Sequence, residues 1–251
     1  MLDQPLQSLV LWGLEPDLDL IDPQRARQGC ERAECVVACS SYDAPVLRDL
    51  ADILLPIAAF AETSGTFVNA NATWQSFAGA VMPPGEARPG WKVLRVLGNL
   101  LDLSGFEYQD SAEVREELAA LCATATPDNR PRAAHWEPGA WIAEGPALIR
   151  VAHVPIYRLD PLVRRARALS QMPGAEWVAR LHPEQAAQLG LAEGDWVRIK
   201  QGEAEGKAPV LIDAQIPLGV IALPAAVCGS ESLGAMIGPV VVARLNRQAE
   251  S

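Results

Sequence analysis

No run of apolar residues in this chain is long enough to cross a bilayer. The longest, Leu218 to Cys228, falls short of the roughly 20 residues that a spanning helix needs, and Pro224 interrupts it. Histidine is scarce. His135, His153 and His182 stand far apart, with no i, i+4 pair and no Cys/His grouping, so a zinc-ligand spacing is missing. Basic residues are outnumbered 21 to 31, giving a net charge of −10. Such a chain presents no basic face to nucleic acid or to an anionic lipid surface. The five cysteines, Cys30, Cys35, Cys39, Cys122 and Cys228, are odd in number and unevenly spread. They do not form a secreted disulfide framework, and a reducing compartment fits them better. The opening Met1-Leu-Asp-Gln-Pro5 lacks the basic start of a signal peptide. The expectation is a soluble chain with no direct membrane insertion.

Several catalytic signatures are missing too. There is neither a G-x-G-x-x-G nor a G-x-S-x-G. Gly229-Ser-Glu-Ser-Leu-Gly234 has the glycine spacing of a phosphate loop, but Ala235-Met236 stands where Lys-Ser/Thr must follow. Cys30-x4-Cys35-x3-Cys39 departs from the plant-type iron–sulfur spacing, and Cys39 lies in an apolar run, where a thiol acts as a small hydrophobe.

The chain is long enough, at 251 residues, for one large domain or two ordinary ones. In residues 1–123, short apolar strands at Leu9–Trp12, Val36–Cys39 and Ile53–Leu55 alternate with helical segments at Pro23–Glu34 and Pro45–Ala51. That order predicts a parallel sheet covered on both faces, a three-layer α/β domain. Trp91–Leu103 is the clearest helix, with Leu94, Leu97 and Leu101 on one face that is expected to pack. A second helix over Ser111–Cys122 begins at an Asp110/Glu113 capping box. Residues 124–147 hold Pro127, Pro131, Pro138 and Pro146 and read as a linker, with Trp136 and Trp141 expected against a domain surface. In residues 148–251 a helix starts at Asp160-Pro161, and Gly190 ends a short helix from Pro183. Strands follow at Trp196–Lys200, Pro209–Ile212, Val220–Leu223 and Pro239–Val242, which suggests a small barrel.

Two places invite a ligand. Glu62-Thr-Ser-Gly-Thr-Phe-Val-Asn69 follows a strand and could offer donors to an anion at the carboxyl end of a parallel sheet. The plainer alternative is a turn in which Asn69 bonds its own backbone. Arg158, Arg164, Arg165 and Arg167 form a basic patch that either docks an acidic partner or phosphate, or is simply a solvated helix face.

Ala51-Asp-Ile-Leu-Leu-Pro56, Glu62, Gly65, Thr66, Asn69 and Gln75 together resemble a signature of the molybdopterin oxidoreductase superfamily. In it, Asp-(apolar)3-Pro precedes Glu-x-x-Gly-Thr-x-x-Asn-x-x-Gly-Arg-x-Gln; this chain has Ala72 and Thr73 at the Gly-Arg pair. Gly85–Leu101 and Ile156–Arg165 are similar to the large iron–sulfur subunit of bacterial NADH–quinone oxidoreductase, respiratory complex I. Leu189–Val197 is similar to the double-psi β-barrel that ends these subunits.

The resemblance implies a C-terminal fragment whose iron–sulfur clusters lie upstream, and a structural or assembly role within a subunit that passes electrons from NADH towards quinone. The implied partners are the other hydrophilic-arm subunits of complex I, on the cytoplasmic side of the bacterial inner membrane. Catalytic relatives bind molybdopterin guanine dinucleotide; loss of the arginine at Thr73 implies no cofactor in this fragment. Vestigial cofactor-binding positions would be Glu62, Gly65, Thr66, Asn69, Gln75, Gly229 and Ser230, with no catalytic or metal-ligating residue. The alternative is a dinucleotide-binding fragment of a molybdenum enzyme such as a formate dehydrogenase.

Overall fold

The computed structural model describes residues 4, 6–125, 128, 148–174 and 176–245. Trp136, Trp141 and most of the expected linker lie outside them.

The first part of the chain runs β1 (Ser8–Trp12), α1 (Pro16–Asp19), α2 (Pro23–Glu31), β2 (Cys35–Ser40), α3 (Pro45–Leu50), β3 (Ile53–Pro56), β4 (Gly65–Val68), β5 (Trp74–Phe77), α4 (Gly90–Leu100) and α5 (Ser111–Cys122). The sheet is parallel, in the order β1-β2-β3. Proline in the first turn suits α1, α2 and α3, because its missing N–H would be unpaired there in any case. Leu9 and Leu11 of β1 and Val36 and Ala38 of β2 alternate inward. They meet Cys30 of α2 and Leu47 of α3 in a buried cluster on one face of the sheet. On the other face the indole of Trp12 packs against Gly90 at the start of α4, so closely that an added Cβ would lie 2.7 Å from the ring.

The Glu62–Asn69 segment forms β4 of an antiparallel hairpin with β5, stapled by Phe67 stacked on Phe77 at 5.1 Å. Expected as a donor-bearing segment after a strand, or as a turn at Asn69, it supplies one strand of a two-stranded ribbon. The helix at Trp91 exists, but its apolar face does not pack: Leu94, Leu97, Leu100 and Leu101 are exposed, and only Gly98 is buried, under the Phe106 ring. Asp110 caps α5 as expected, accepting from the N–H groups of Ala112 and Glu113. Glu113, however, reaches back to Gln109 N–H.

The second part runs β6 (Leu148–His153), α6 (Pro161–Arg165), α7 (Arg167–Ser170), β7 (Ala179–Leu181), α8 (Pro183–Gln188), β8 (Trp196–Gln201), β9 (Ala204–Ile212), β10 (Val220–Pro224) and β11 (Ile237–Arg244). The helix foreseen from Asp160 is split in two at Ala166, whose extended ψ interrupts it. The six strands close into a barrel in the order β10-β6-β11-β8-β9-β7, the small barrel expected from the strand spacing and the double-psi β-barrel that the resemblance implies. Leu181, Val197, Ile199, Ala208, Ile221 and Leu223 fill its interior. Among the described residues no helix is long and apolar enough to cross a membrane, and no cluster of His, Cys, Asp and Glu could hold a metal ion.

Candidate functional site

A cleft of about 770 Å³ opens at the carboxyl ends of β2 and β3, the place where open parallel sheets receive ligands. Ser40, Tyr42, Arg48, Phe60 and Glu62 line it from the first part of the chain, and Leu162 of α6 from the second. Its polar groups are largely committed to one another. Ser40 Oγ donates to the Tyr42 carbonyl at 2.8 Å and accepts from the Tyr42 N–H at 3.1 Å. Ser41 Oγ donates to the Ala58 carbonyl. Arg48 is bound bidentately by Asp43. That guanidinium is the reason the Asp43 carboxyl sits below its ordinary range. Glu62 Oε2 accepts the Ala59 N–H at 2.9 Å, closing a single helical turn over Phe60–Glu62.

The hairpin beyond Glu62 is equally self-contained. Asn69 Oδ1 accepts from the N–H groups of Asn71 and Thr73, at 2.9 and 3.0 Å, so the plainer turn reading of this residue is the observed one. Thr66 Oγ1 and Ser76 Oγ share a cross-strand hydrogen bond at 3.0 Å. Gly65 gives room to the Phe77 ring, 3.0 Å from where its Cβ would be. Gln75 is exposed on β5 opposite Phe67. Ala72 carries the tight turn at φ +61°, a left-handed conformation that glycine adopts without strain and alanine does not.

Gly229 and Ser230 lie elsewhere. Their loop connects β10 to β11 and docks on α2, where Gln24 Nε2 donates to the Glu231 carbonyl at 2.7 Å. Gly229, at φ +100°, lies under the Trp177 indole. Ser230 is buried and its Oγ donates to the Val227 carbonyl at 2.7 Å. Glu231 and Ser232 line a second hollow, with Asp17, Gln24 and Arg27, not the cleft that contains Glu62. The seven expected positions are thus divided between two places.

Two of the four arginines of the patch, Arg164 and Arg165, are committed within the chain, whereas Arg167 is exposed. Arg164 is buried in an ion pair with Asp19, and its Nη1 lies 3.7 Å from Glu15. Arg165 binds Glu15 at 2.8 Å, with its guanidinium 4.3 Å from the centre of the Tyr42 ring. Met236 N–H donates to the Ile21 carbonyl beside them. These contacts join the barrel to the α/β part. Arg150 is a second buried cation at this seam. It donates to Gln201 Oε1 and to the carbonyls of Gly234 and Ala235. Burial lowers its pKa to about 10, opposed by the negative charge of Asp22. Burial also raises the thiol pKa of Cys30 and Cys39, which marks them as inert packing groups. Arg150 was missed in the sequence because it stands in an unflagged strand next to the proline-rich stretch.

Residues 5–100 match the family model for molybdopterin oxidoreductase, and residues 162–241 match that for the molydopterin dinucleotide binding domain. The alpha subunit of an NADPH-Fe(3+) oxidoreductase from Geobacter sulfurreducens is 25% identical over 231 residues, 87% of this chain and 27% of that protein. The 78 kDa subunit of mitochondrial NADH-ubiquinone oxidoreductase from Candida albicans is 39% identical over 71 residues, 28% of this chain and 10% of that protein. The chain thus spans about a quarter of the length of the first of these relatives. Among solved structures, acetylene hydratase from Pelobacter acetylenicus superimposes with a TM-score of 0.62 at 16% identity, over 94% of this chain and 44% of that one, a likeness of fold.

Proposed function

We propose that this chain, which carries domains of the molybdopterin oxidoreductase family, is a cofactor-free assembly module: the C-terminal part of the large iron–sulfur subunit of an NADH–quinone oxidoreductase. In this reading the whole subunit passes electrons from NADH towards quinone through clusters outside this chain. The module packs against other subunits of the hydrophilic arm, on the cytoplasmic face of a bacterial inner membrane. The segment similar to the 78 kDa subunit supports this choice among oxidoreductases.

One observation carries the cofactor-free reading. Most of the groups expected to grip the dinucleotide's phosphates are already engaged or carry the wrong charge. A pyrophosphate needs free N–H or guanidinium donors. In the cleft Arg48 is held by Asp43, the Ser40 and Ser41 hydroxyls donate to carbonyls, and Glu62 and Glu86 add negative charge. In the hairpin Asn69 and Thr66 bond within the ribbon, and position 73, where the signature has arginine, is a threonine. On the barrel Ser230 is turned inward to Val227. In this reading the cleft and the hairpin offer no free guanidinium to clamp a dinucleotide's phosphates.

Calorimetric titration with molybdopterin guanine dinucleotide, and with GDP as a simpler probe, tests the proposal. No heat is expected at ligand concentrations approaching 1 mM, the regime of binding weaker than about −4 kcal/mol. A micromolar dissociation constant would overturn it and favour a dinucleotide-binding piece of a molybdenum enzyme.

A further inference from the structure

We propose that the groove between β3 and α4 is a docking site for an acidic amphipathic helix of a partner polypeptide. The inference rests on the assembly reading above and names the chemistry of one partner. Leu55 of β3 and Val93, Val96, Leu97 and Leu100 of α4 form a hollow of about 530 Å³ with apolar walls. β3 is an edge of its sheet, and the Leu100 side of α4 is open to solvent, with that residue 75% exposed. Contiguous apolar surface of this kind on a folded domain marks an interface.

The rim identifies the occupant. Arg88, Lys92 and Arg95 border the groove, and no carboxylate does. None of these cations has a carboxylate partner among the described residues. Arg88 donates to the carbonyls of Gly85 and Ala87, Arg95 donates to the Tyr108 carbonyl, and the Lys92 ammonium lies 5.3 Å from the centre of the Trp91 ring. Arg95 Nε is buried with no acceptor. The chain has ten more acidic than basic charges, and Arg27, Arg48, Arg164, Arg165 and Arg244 sit on carboxylates where these three do not. An apolar floor edged by unpaired cations is complementary to a helix with a leucine stripe flanked by glutamates.

The test uses two labelled helical peptides of about 18 residues, five turns, one patterned with leucine and glutamate and one with leucine and lysine. Fluorescence anisotropy with the intact chain should give a dissociation constant on the order of 10 μM for the glutamate peptide, weakening with salt. Binding of the lysine peptide should be at least tenfold weaker. Combining Arg88→Glu, Lys92→Glu and Arg95→Glu should invert that preference, and Leu100→Asp alone should weaken the glutamate peptide about tenfold. Circular dichroism is used to confirm that each variant is folded. Equal binding of both peptides, or no binding by the folded chain, would overturn the proposal. So would a dimer in sedimentation velocity that the charge reversal dissociates, because the occupant would then be a second copy. The calorimetric titration reads the pterin site independently, so either proposal can fail while the other stands.

Discussion

The guanidinium of Arg164 is bound to the carboxylate of Asp19, 145 residues earlier in the chain, with the two side chains 5% and 17% exposed. This pair and Glu15 beside it clasp the barrel to the α/β part. Removing one partner of a buried pair leaves the other charged and unpaired, at a cost of about 3–5 kcal/mol. Arg164→Ala should lower the urea midpoint accordingly. Arg27→Ala, which breaks pairs with Glu31 and Asp49 at exposed sites, should cost about 1 kcal/mol or less. Equal losses for the two variants would mean that the clasp holds nothing together.

Asp17 lies next to that clasp, and burial raises its carboxyl pKa above the ordinary range, with the charges of Glu15 and Glu231 adding to the effect. Its Oδ1 is buried with no hydrogen-bond partner. A carboxyl with a raised folded-state pKa binds protons more readily in the folded chain. It therefore favours folding at low pH, and that contribution is lost as pH rises through the raised value. Above that raised value, ionisation of Asp17 opposes folding. Asp17→Asn should melt higher than the parent at pH 7, and the gap should narrow towards pH 4. A gap independent of pH would exclude titration of Asp17 as the cause.

Ala72 occupies φ +61° at a position where the related signature has glycine. An L-residue in this conformation costs roughly 1–2 kcal/mol, and glycine gives back about 0.4–1 kcal/mol through its freer unfolded chain. Ala72→Gly should therefore stabilise the protein by about 0.5 kcal/mol, a rise of roughly 1–2 °C in Tm for a chain of this size. A lower Tm would mean that the turn is not strained.

Leu97 and Leu223 test the difference between an apolar stripe and a core. Leu97 is 39% exposed on α4, whereas Leu223 is fully enclosed in the barrel. Leu223→Ala should cost about 3 kcal/mol, within the range for buried leucine truncation, and Leu97→Ala about 1 kcal/mol or less. Denaturant midpoints of the two variants, compared at constant slope, give the ratio. A Leu97 loss as large as that of Leu223 would place α4 in a packed core.

The parallel strands were legible because Leu9–Trp12, Val36–Cys39 and Ile53–Leu55 are short apolar runs bounded by breakers. The α4 helix was legible because leucine recurs at helical spacing. That spacing reports which residues share a face, not what covers the face, so it could not reveal that Leu97 and Leu100 stay open. The β4–β5 ribbon was hidden because Gly65–Val68 and Trp74–Phe77 are only four residues each, and Ala72 supplies the left-handed turn that glycine ordinarily signals. β7 has three residues, too few for any period to show. The turn role of Asn69 was one of two readings the sequence allowed. The fate of Arg164 was beyond reach, because its partner is set by a tertiary meeting of distant segments. The site suffered most from this. Glu62 and Ser230 look equivalent as polar residues in glycine-rich loops, and only the fold places Glu62 in the cleft and turns Ser230 inward to the Val227 carbonyl.

The barrel order gives β6 two neighbours, β10 and β11, that come late in the chain, and the Arg150 to Gly234 bond alone spans 84 residues. On a ribosome β6 emerges long before either neighbour exists. The α/β segment can begin to fold as it appears, while the barrel must wait for β11 and pay the entropy of a long loop closure in one late step. During that interval Leu148, Leu181 and Ile199, buried in the finished barrel, lack the strand that closes it, so this half of the chain exposes its apolar surface longest as it is made.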